Sequence, residues 1–159
     1  MSNQQWRTHK GMDANTILRF RDIALIELKR AERYRNFLSL LVLNLSEFLS
    51  TAGRRKITSD EDTTRFMESL IDRVQKGARE TDVISGTRNA SLVLLLPETN
   101  QVGAEIAGKR FRKLLSEFLA DYLDSDYRFD IPLEITSFPD QSGLKHFTNR
   151  LETLFSSSS

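Results

Sequence analysis

The chain has 159 residues, 39% of them apolar and 28% charged, which is enough to bury the core of one domain. Its 23 basic and 22 acidic side chains leave a net charge of +1, so no bulk field favours nucleic acid or an anionic membrane. The lack of cysteine excludes disulfides and thiolate metal sites. No apolar run is long enough to span a membrane, and we expect a cytoplasmic protein that binds no nucleic acid.

One domain is predicted between two short flanking segments. Residues 1–12 are polar and aperiodic, and residues 156–159 are all serine. Such segments bury too little apolar surface to fold. We therefore expect a flexible N-terminal arm at 1–12, a domain at 13–155 and a disordered tail at 156–159.

Apolar spacing predicts helices and strands in the first half of the chain. Residues 13–34 have helical spacing, and the run FLSLLVLNL at 37–45 is typical of a short strand buried on both faces. The stretch LSTAGRRKITSDED at 49–62 indicates a polar loop. A second helix follows it and ends near Gly77.

A β-hairpin is predicted at the centre of the chain, with arms at 82–85 and 91–96. A helix at 101–122, a strand within 129–138 and a helix at 144–155 follow. Pro132 has no amide donor, so we expect the last strand at a sheet edge or a bulge. This order predicts an α/β (α+β) fold, a mixed β-sheet covered by helices around a central hairpin.

Four stretches resemble the GGDEF domain of bacterial diguanylate cyclases, over about residues 13–140. DANTILRFR at 13–21 keeps four residues of the family's DxLTGLxNR-like opening, and LKRAERYRNFLSLLVL at 28–43 is similar to the run into its first strand. LLLPETN at 94–100 resembles the strand after the signature loop. The resemblance implies a nucleotidyl cyclase-like fold, and it places the signature on Arg88, Asn89, Ala90, Ser91 and Leu92.

An active member of this family makes cyclic di-GMP from two GTP molecules, with divalent metal held by carboxylates. The resemblance places the family's metal-ligand positions on Asn44, Ser46 and Ser91, and none of these is an acid. We therefore expect no cyclase activity, no Mg²⁺ site and no required cofactor. A hairpin tip rich in Asn and Ser is also what a simple solvated turn contains.

In many family members an inhibitory site before the signature loop binds cyclic di-GMP through an RxxD motif, and Arg79-Glu80-Thr81-Asp82 is that motif at that position. Roughly one RxxD is expected by chance in this composition, and Arg19–Asp22 is a second copy. The resemblance adds Arg110 and also Arg30, which would contact the ligand from the partner side of a dimer. Arginine forks suit phosphate or the guanine edge, and Asp82 suits the guanine N–H groups.

Two interpretations remain open. In one, the domain is a cyclic di-GMP receptor that signals to an unidentified protein partner or through a homodimer. In the other, Arg79 and Asp82 form only a surface salt bridge worth about 0–1 kcal/mol, and the domain is an interaction or dimerisation module that keeps only the fold. A weak cyclase or a GTP-binding domain would need metal ligands that the sequence lacks.

Overall fold

The computed structural model describes residues 14–87, 89–126, 128–139 and 143–155. The predicted arm and tail, and Arg88 of the hairpin tip, lie outside these residues. The described elements, in chain order, are α1 (Ala14–Tyr34), β1 (Leu38–Asn44), α2 (Ser46–Ser50), α3 (Asp60–Lys76), β2 (Val83–Gly86), β3 (Ser91–Pro97), α4 (Gln101–Tyr122), β4 (Leu133–Phe138) and α5 (Gly143–Phe155). The predicted α/β class with a central hairpin is confirmed.

The four strands form one sheet in the order β2–β3–β1–β4. In this sheet Leu41 of β1 pairs with Leu94 of β3 on one side and with Ile135 of β4 on the other. Every described strand pair is antiparallel, which corrects the expectation of a mixed sheet. The helices between β1 and β2 bring the chain back so that both strands run in the same direction. They do not pair with each other, because β3 of the hairpin lies between them.

Helices cover both faces of the sheet, and β1 contributes to both layers. Leu41 and Leu43 pack into the cluster formed with α3 and α4. Leu40 and Val42 pack into the cluster formed with α1 and α5. Since side chains alternate along a strand, a continuous apolar run is what a strand covered on both faces requires.

The segment predicted as a polar loop contains more structure than its composition indicates. It overlaps α2, it includes a 3₁₀ helix at Ala52–Arg55, and α3 already begins at Asp60. Phe48 of α2 explains this order, because its ring is buried 5.6 Å from that of Phe66 and 5.1 Å from that of Phe129.

The last strand, β4, begins directly after Pro132 and is an edge strand of the sheet, as predicted. Within the described ranges, no helix has the length and apolarity needed to cross a bilayer.

Candidate functional site

Asp82 lies at the junction between α3 and β2. The Asp82 backbone N–H donates to the carbonyl of Arg79 at 3.0 Å, which closes a turn after the helix. A second hydrogen bond joins the same two residues, because Asp82 Oδ2 accepts from the Arg79 backbone N–H at 2.9 Å. Only 2% of the Asp82 side chain is exposed. The sequence placed this carboxylate on the surface, and the structure instead buries it beneath Arg79.

The Arg79 side chain lies over this carboxylate and is 52% exposed. Its Nε and Nη2 donate to Asp82 Oδ1 at 3.2 and 3.0 Å. Nη2 also donates to the carbonyl of Pro97 at 3.0 Å and to Thr99 Oγ1 at 2.8 Å. The guanidinium is therefore fixed at the surface by acceptors from two separate parts of the chain.

Arg110 extends from α4 towards the turn that carries Arg79. Its Nη1 donates to the carbonyl of Gly77, just after α3, and its guanidinium carbon lies 4.5 Å from the centre of the Phe111 ring. Arg79, Asp82 and Arg110 together line one cleft of about 400 Å³. The cleft is also lined by Phe37, Leu96, Glu98, Thr99, Asn100, Gly103, Ile106 and Ala107.

Arg30 is not part of this cleft. It is exposed on α1, 3.5 Å from Glu27, and it lines a smaller cleft of about 180 Å³. The two clefts are neighbours, because both include Phe37 and Glu98. The structure therefore brings together three of the four predicted ligand residues within one chain.

The hairpin tip, where the signature was predicted, is a hydrogen-bonded turn. Thr87 Oγ1 accepts from the backbone N–H groups of Ser91 and Asn89 at 3.2 and 3.3 Å. Ala90 has a φ of 60°, and its carbonyl accepts from the Leu45 backbone N–H at 2.9 Å. Leu92, the last signature position, is buried in the core.

The three positions predicted as lost metal ligands lie together near this tip. Asn44 pairs in register with Ser91, and Asn44 Oδ1 accepts from the backbone N–H and the hydroxyl of Ser46 at 2.8 and 2.7 Å. Ser46 is the first residue of the short helix α2, just after β1. Within the residues the structure describes, no group of three or more Asp, Glu, His or Cys side chains is arranged to hold a metal ion.

A polar cleft of about 420 Å³ lies beside these positions. Its described lining residues include Asn44, Thr87, Ser91 and a single acid, Glu134. That acid is 2.5 Å from the guanidinium of Arg150. Its charge is therefore already compensated within the chain.

Solved GGDEF-domain proteins share this architecture. The GGDEF domain of TpbB (YfiN) from Pseudomonas aeruginosa superposes with a TM-score of 0.59 and 17% identity, covering 84% of this chain and 79% of that one. This chain has a GGDEF-like fold. A sensory box/GGDEF family protein from Caulobacter crescentus gives a TM-score of 0.50 at 14% identity, over 80% and 81% of the two chains.

A third protein with this GGDEF-like fold was solved with a protein bound. It is the diguanylate cyclase SiaD of Pseudomonas aeruginosa, in complex with its activator SiaC, with a TM-score of 0.57 and 16% identity. The match covers 84% of this chain and 50% of SiaD. No protein-family profile and no curated protein sequence matches the chain.

Two residues of the first cleft were not predicted as site residues. Thr99 supplies a hydroxyl acceptor to Arg79, and Glu98 brings an exposed carboxylate to the rim. Both belong to the LLLPETN stretch that carried the resemblance. The sequence therefore contained these two residues in a recognised stretch, but only the fold shows that this stretch lies against Arg79, after the end of α3.

Proposed function

We propose that this chain is a non-catalytic GGDEF-like domain that binds cyclic di-GMP in the cleft formed by Arg79, Asp82 and Arg110. The observation that carries the proposal is the convergence of two arginines from different elements on one cleft. A lone salt bridge and an unrelated surface arginine have no reason to share a concave surface. The volume of about 400 Å³ lies in the range of small-molecule sites.

The chemistry of the cleft suits a dianion that carries two guanine bases. Arg110 donates Nη1 to Gly77, which leaves Nε and Nη2 as a planar fork that can bind a phosphate bidentately or pair with guanine O6 and N7. Arg79 donates Nε and Nη2 within the chain, so it offers a ligand its Nη1 N–H groups and its positive charge. Asp82 acts as a positioning residue, because its carboxylate is occupied by Arg79. The acceptor for the guanine N1–H and N2–H groups is then Glu98, whose exposed side chain lines the same cleft.

The non-catalytic part of the proposal rests on the hairpin end of the sheet. Metal-assisted phosphoryl transfer needs carboxylates that hold the cation and neutralise developing charge. Asn44, Ser46 and Ser91 bring no charge to that position, and the nearby acid Glu134 is paired with Arg150. These residues support binding without turnover.

We propose that a protein partner, or a second copy of the chain, binds differently when cyclic di-GMP occupies the cleft. Arg30 lies on a neighbouring cleft that shares Phe37 and Glu98 with the first. In a dimer, we propose that Arg30 contacts the ligand held by the other copy. The alternative, a protein partner, is supported by SiaD, a diguanylate cyclase with a region of this fold that was solved in complex with its activator.

The test is calorimetric titration of the full chain with cyclic di-GMP. We expect binding at or below about 100 μM, weakened at least about tenfold in Arg110→Ala. Arg73→Ala, which removes an exposed arginine of α3 outside the cleft, is the matched control and should bind as the parent does. Arg79→Ala is a second variant whose melting temperature must also be measured, since it uncovers Asp82.

Three outcomes would contradict the proposal. The parent chain does not bind at about 100 μM dinucleotide, or binding survives undiminished in both arginine variants. The third outcome concerns catalysis alone. Turnover of GTP in the presence of Mg²⁺ would show that the domain is an enzyme.

An interaction module is the second candidate, and the apolar rim of the cleft favours it. Phe37, Val102 and Ile106 are large apolar residues that are 46%, 63% and 66% exposed. Val102 and Ile106 share one face of α4, and Ile106 and Phe37 line the cleft itself. If this rim is a dimer contact, Ile106→Asp should lower the sedimentation coefficient at high protein concentration, and the exposed control Glu105→Ala should not.

A further inference from the structure

A second cleft, lined by cations, lies on another face of α4. Lys109, Arg112 and Lys113 line it from the helix, and Arg128 lines it from the segment that leads into β4. The cleft has a volume of about 360 Å³, and its described lining residues include one acid, Asp130. Four cations and one acid give a local charge of 4 − 1 = +3, whereas the whole chain has a net charge of +1.

Among the described residues, no ion pair neutralises this local charge. Some described cations elsewhere have acidic partners, as in Arg21–Glu152 and Lys76–Asp72, whereas others stand apart on the surface without one. None of the four cleft cations makes an ion pair with any residue in the described ranges. Like charges spaced three and four residues apart on a helix repel each other. An anion in the cleft would remove this repulsion.

The basic cleft is separate from the cleft of Arg79 and Arg110. An α-helix turns by about 100° per residue, so Lys109 and Arg110 face different sides although they are adjacent. The first cleft uses Gly103, Ile106, Ala107 and Arg110 of α4, and the basic cleft uses Lys109, Arg112, Lys113 and Ser116. No residue is shared between the two.

We propose that this basic cleft binds a compact polyphosphate anion, either free or as the phosphate chain of a nucleotide. The three helix cations lie within little more than one turn, at about 5–6 Å between Cβ atoms of neighbours. Such concentrated charge matches linked phosphates better than carboxylates spread along an extended acidic peptide. The fork of Arg112 suits bidentate phosphate contact.

The wall opposite α4 is fixed by packing. Phe129 lies edge-on to Phe48 at 5.1 Å and packs against the main core cluster. This contact anchors the segment that carries Arg128 and Asp130 at the mouth of the cleft. The cleft therefore has one helical wall and one anchored loop wall, and the fourth cation comes from the loop.

The test uses inorganic tripolyphosphate as the probe, titrated into the full chain at low salt without divalent metal. We expect Lys109→Ala/Lys113→Ala to weaken binding at least about tenfold. The matched control is Arg54→Ala/Arg55→Ala, which removes the same charge from two exposed arginines of the 3₁₀ helix. The affinity of this control for tripolyphosphate should stay within about twofold of the parent, because salt screens charges that are distant from the cleft. Circular dichroism confirms that both variants fold.

Several results would overturn the proposal. The first is that the parent chain does not bind tripolyphosphate at about 1 mM, which excludes the site. Equal losses in the two double variants would mean that net charge alone attracts the anion. A hexaglutamate peptide that binds as tightly as tripolyphosphate would make the cleft a docking surface for acidic protein. A parallel titration with ATP distinguishes the two phosphate sources, because only a nucleotide site gains affinity from the base.

Discussion

Asp82 holds Arg79 at both its backbone and its side chain. One carboxylate oxygen accepts the Arg79 backbone N–H at 2.9 Å, and the other accepts from Nε and Nη2 at 3.2 and 3.0 Å. The acid is buried and the base is half-exposed. The RxxD motif therefore builds a fixed, outward-facing guanidinium, which loses little side-chain freedom when it binds an anion.

Asp82→Asn tests this positioning role. The amide keeps one acceptor oxygen but turns an NH₂ donor towards the Arg79 donors, so we expect a loss of about 1–2 kcal/mol in the free energy of unfolding. The half-exposed Arg79 can hydrate its charge, which limits the loss. Urea denaturation measures it, with Asp72→Asn as the exposed control. A variant as stable as the parent would show that the buried pair contributes nothing.

Glu98→Gln tests the acceptor assigned to the guanine base. A carboxylate accepts two N–H groups from guanine, and an amide accepts only through its single oxygen. We expect cyclic di-GMP to bind about three- to tenfold more weakly to this variant. If Glu98 served only to repel the phosphates, the variant would bind more tightly, and calorimetry distinguishes the two directions. Glu105→Gln, on the exposed surface of α4, is the control.

Asn44→Asp tests how the fold tolerates a carboxylate at the predicted metal-ligand position. Both contacts to Asn44 Oδ1 are donated by Ser46, and a carboxylate accepts them equally well. We expect a melting temperature within about 2 °C of the parent and no gain in Mg²⁺ affinity, because one acid is too few. Mg²⁺ titration with calorimetric detection checks this. Tight binding by the single variant would mean that other ligands are already in place.

The sequence was sufficient to predict the elements whose cause is local. The apolar run of β1 and the helical spacing in α4 each depend on residues that are neighbours in the chain. Pro132 likewise indicated the edge position of β4, because a missing amide donor is a local property.

Features that depend on distant contacts were not predictable in this way. The pairing of β1 with β3, and not with β2, follows from the hairpin, which inserts β3 between them. The burial of Asp82 depends on Pro97 and Thr99, which close over Arg79 from the far end of β3. The short helix α2 depends on a pocket for Phe48 built by Phe66 and Phe129.

Gly53→Ala tests the packing of the 3₁₀ helix against that ring. A Cβ at Gly53 would lie 2.8 Å from Phe48 Cε2, and the ring is confined by Phe66 and Phe129. We expect a loss of about 1–3 kcal/mol in the free energy of unfolding, since overpacking forces neighbours to move. Arg54→Ala, at the next and exposed position, should change stability by less than about 0.5 kcal/mol. Equal unfolding midpoints in urea for the two variants would refute the contact.

Asp62 gives the pH prediction. The pKa of its carboxyl is lowered chiefly by the Thr58 backbone N–H, then by the Thr58 hydroxyl at 3.0 Å and by Arg65. A folded pKa below the unfolded one gives stability that is present above the unfolded value and is lost as pH falls through the folded value. The loss therefore belongs to the range below about pH 4.

Thr58→Val separates the two contributions of Thr58 to this pKa. It removes the hydroxyl and keeps the backbone N–H, which is the larger cause, so the Asp62 pKa should rise only part of the way to its ordinary value. Carboxyl-detected NMR titration measures the pKa directly in both proteins. The stability difference between parent and variant should also narrow as pH falls below about 4. A pKa that does not move, or one above the ordinary value in the parent, would contradict the assignment of these contacts.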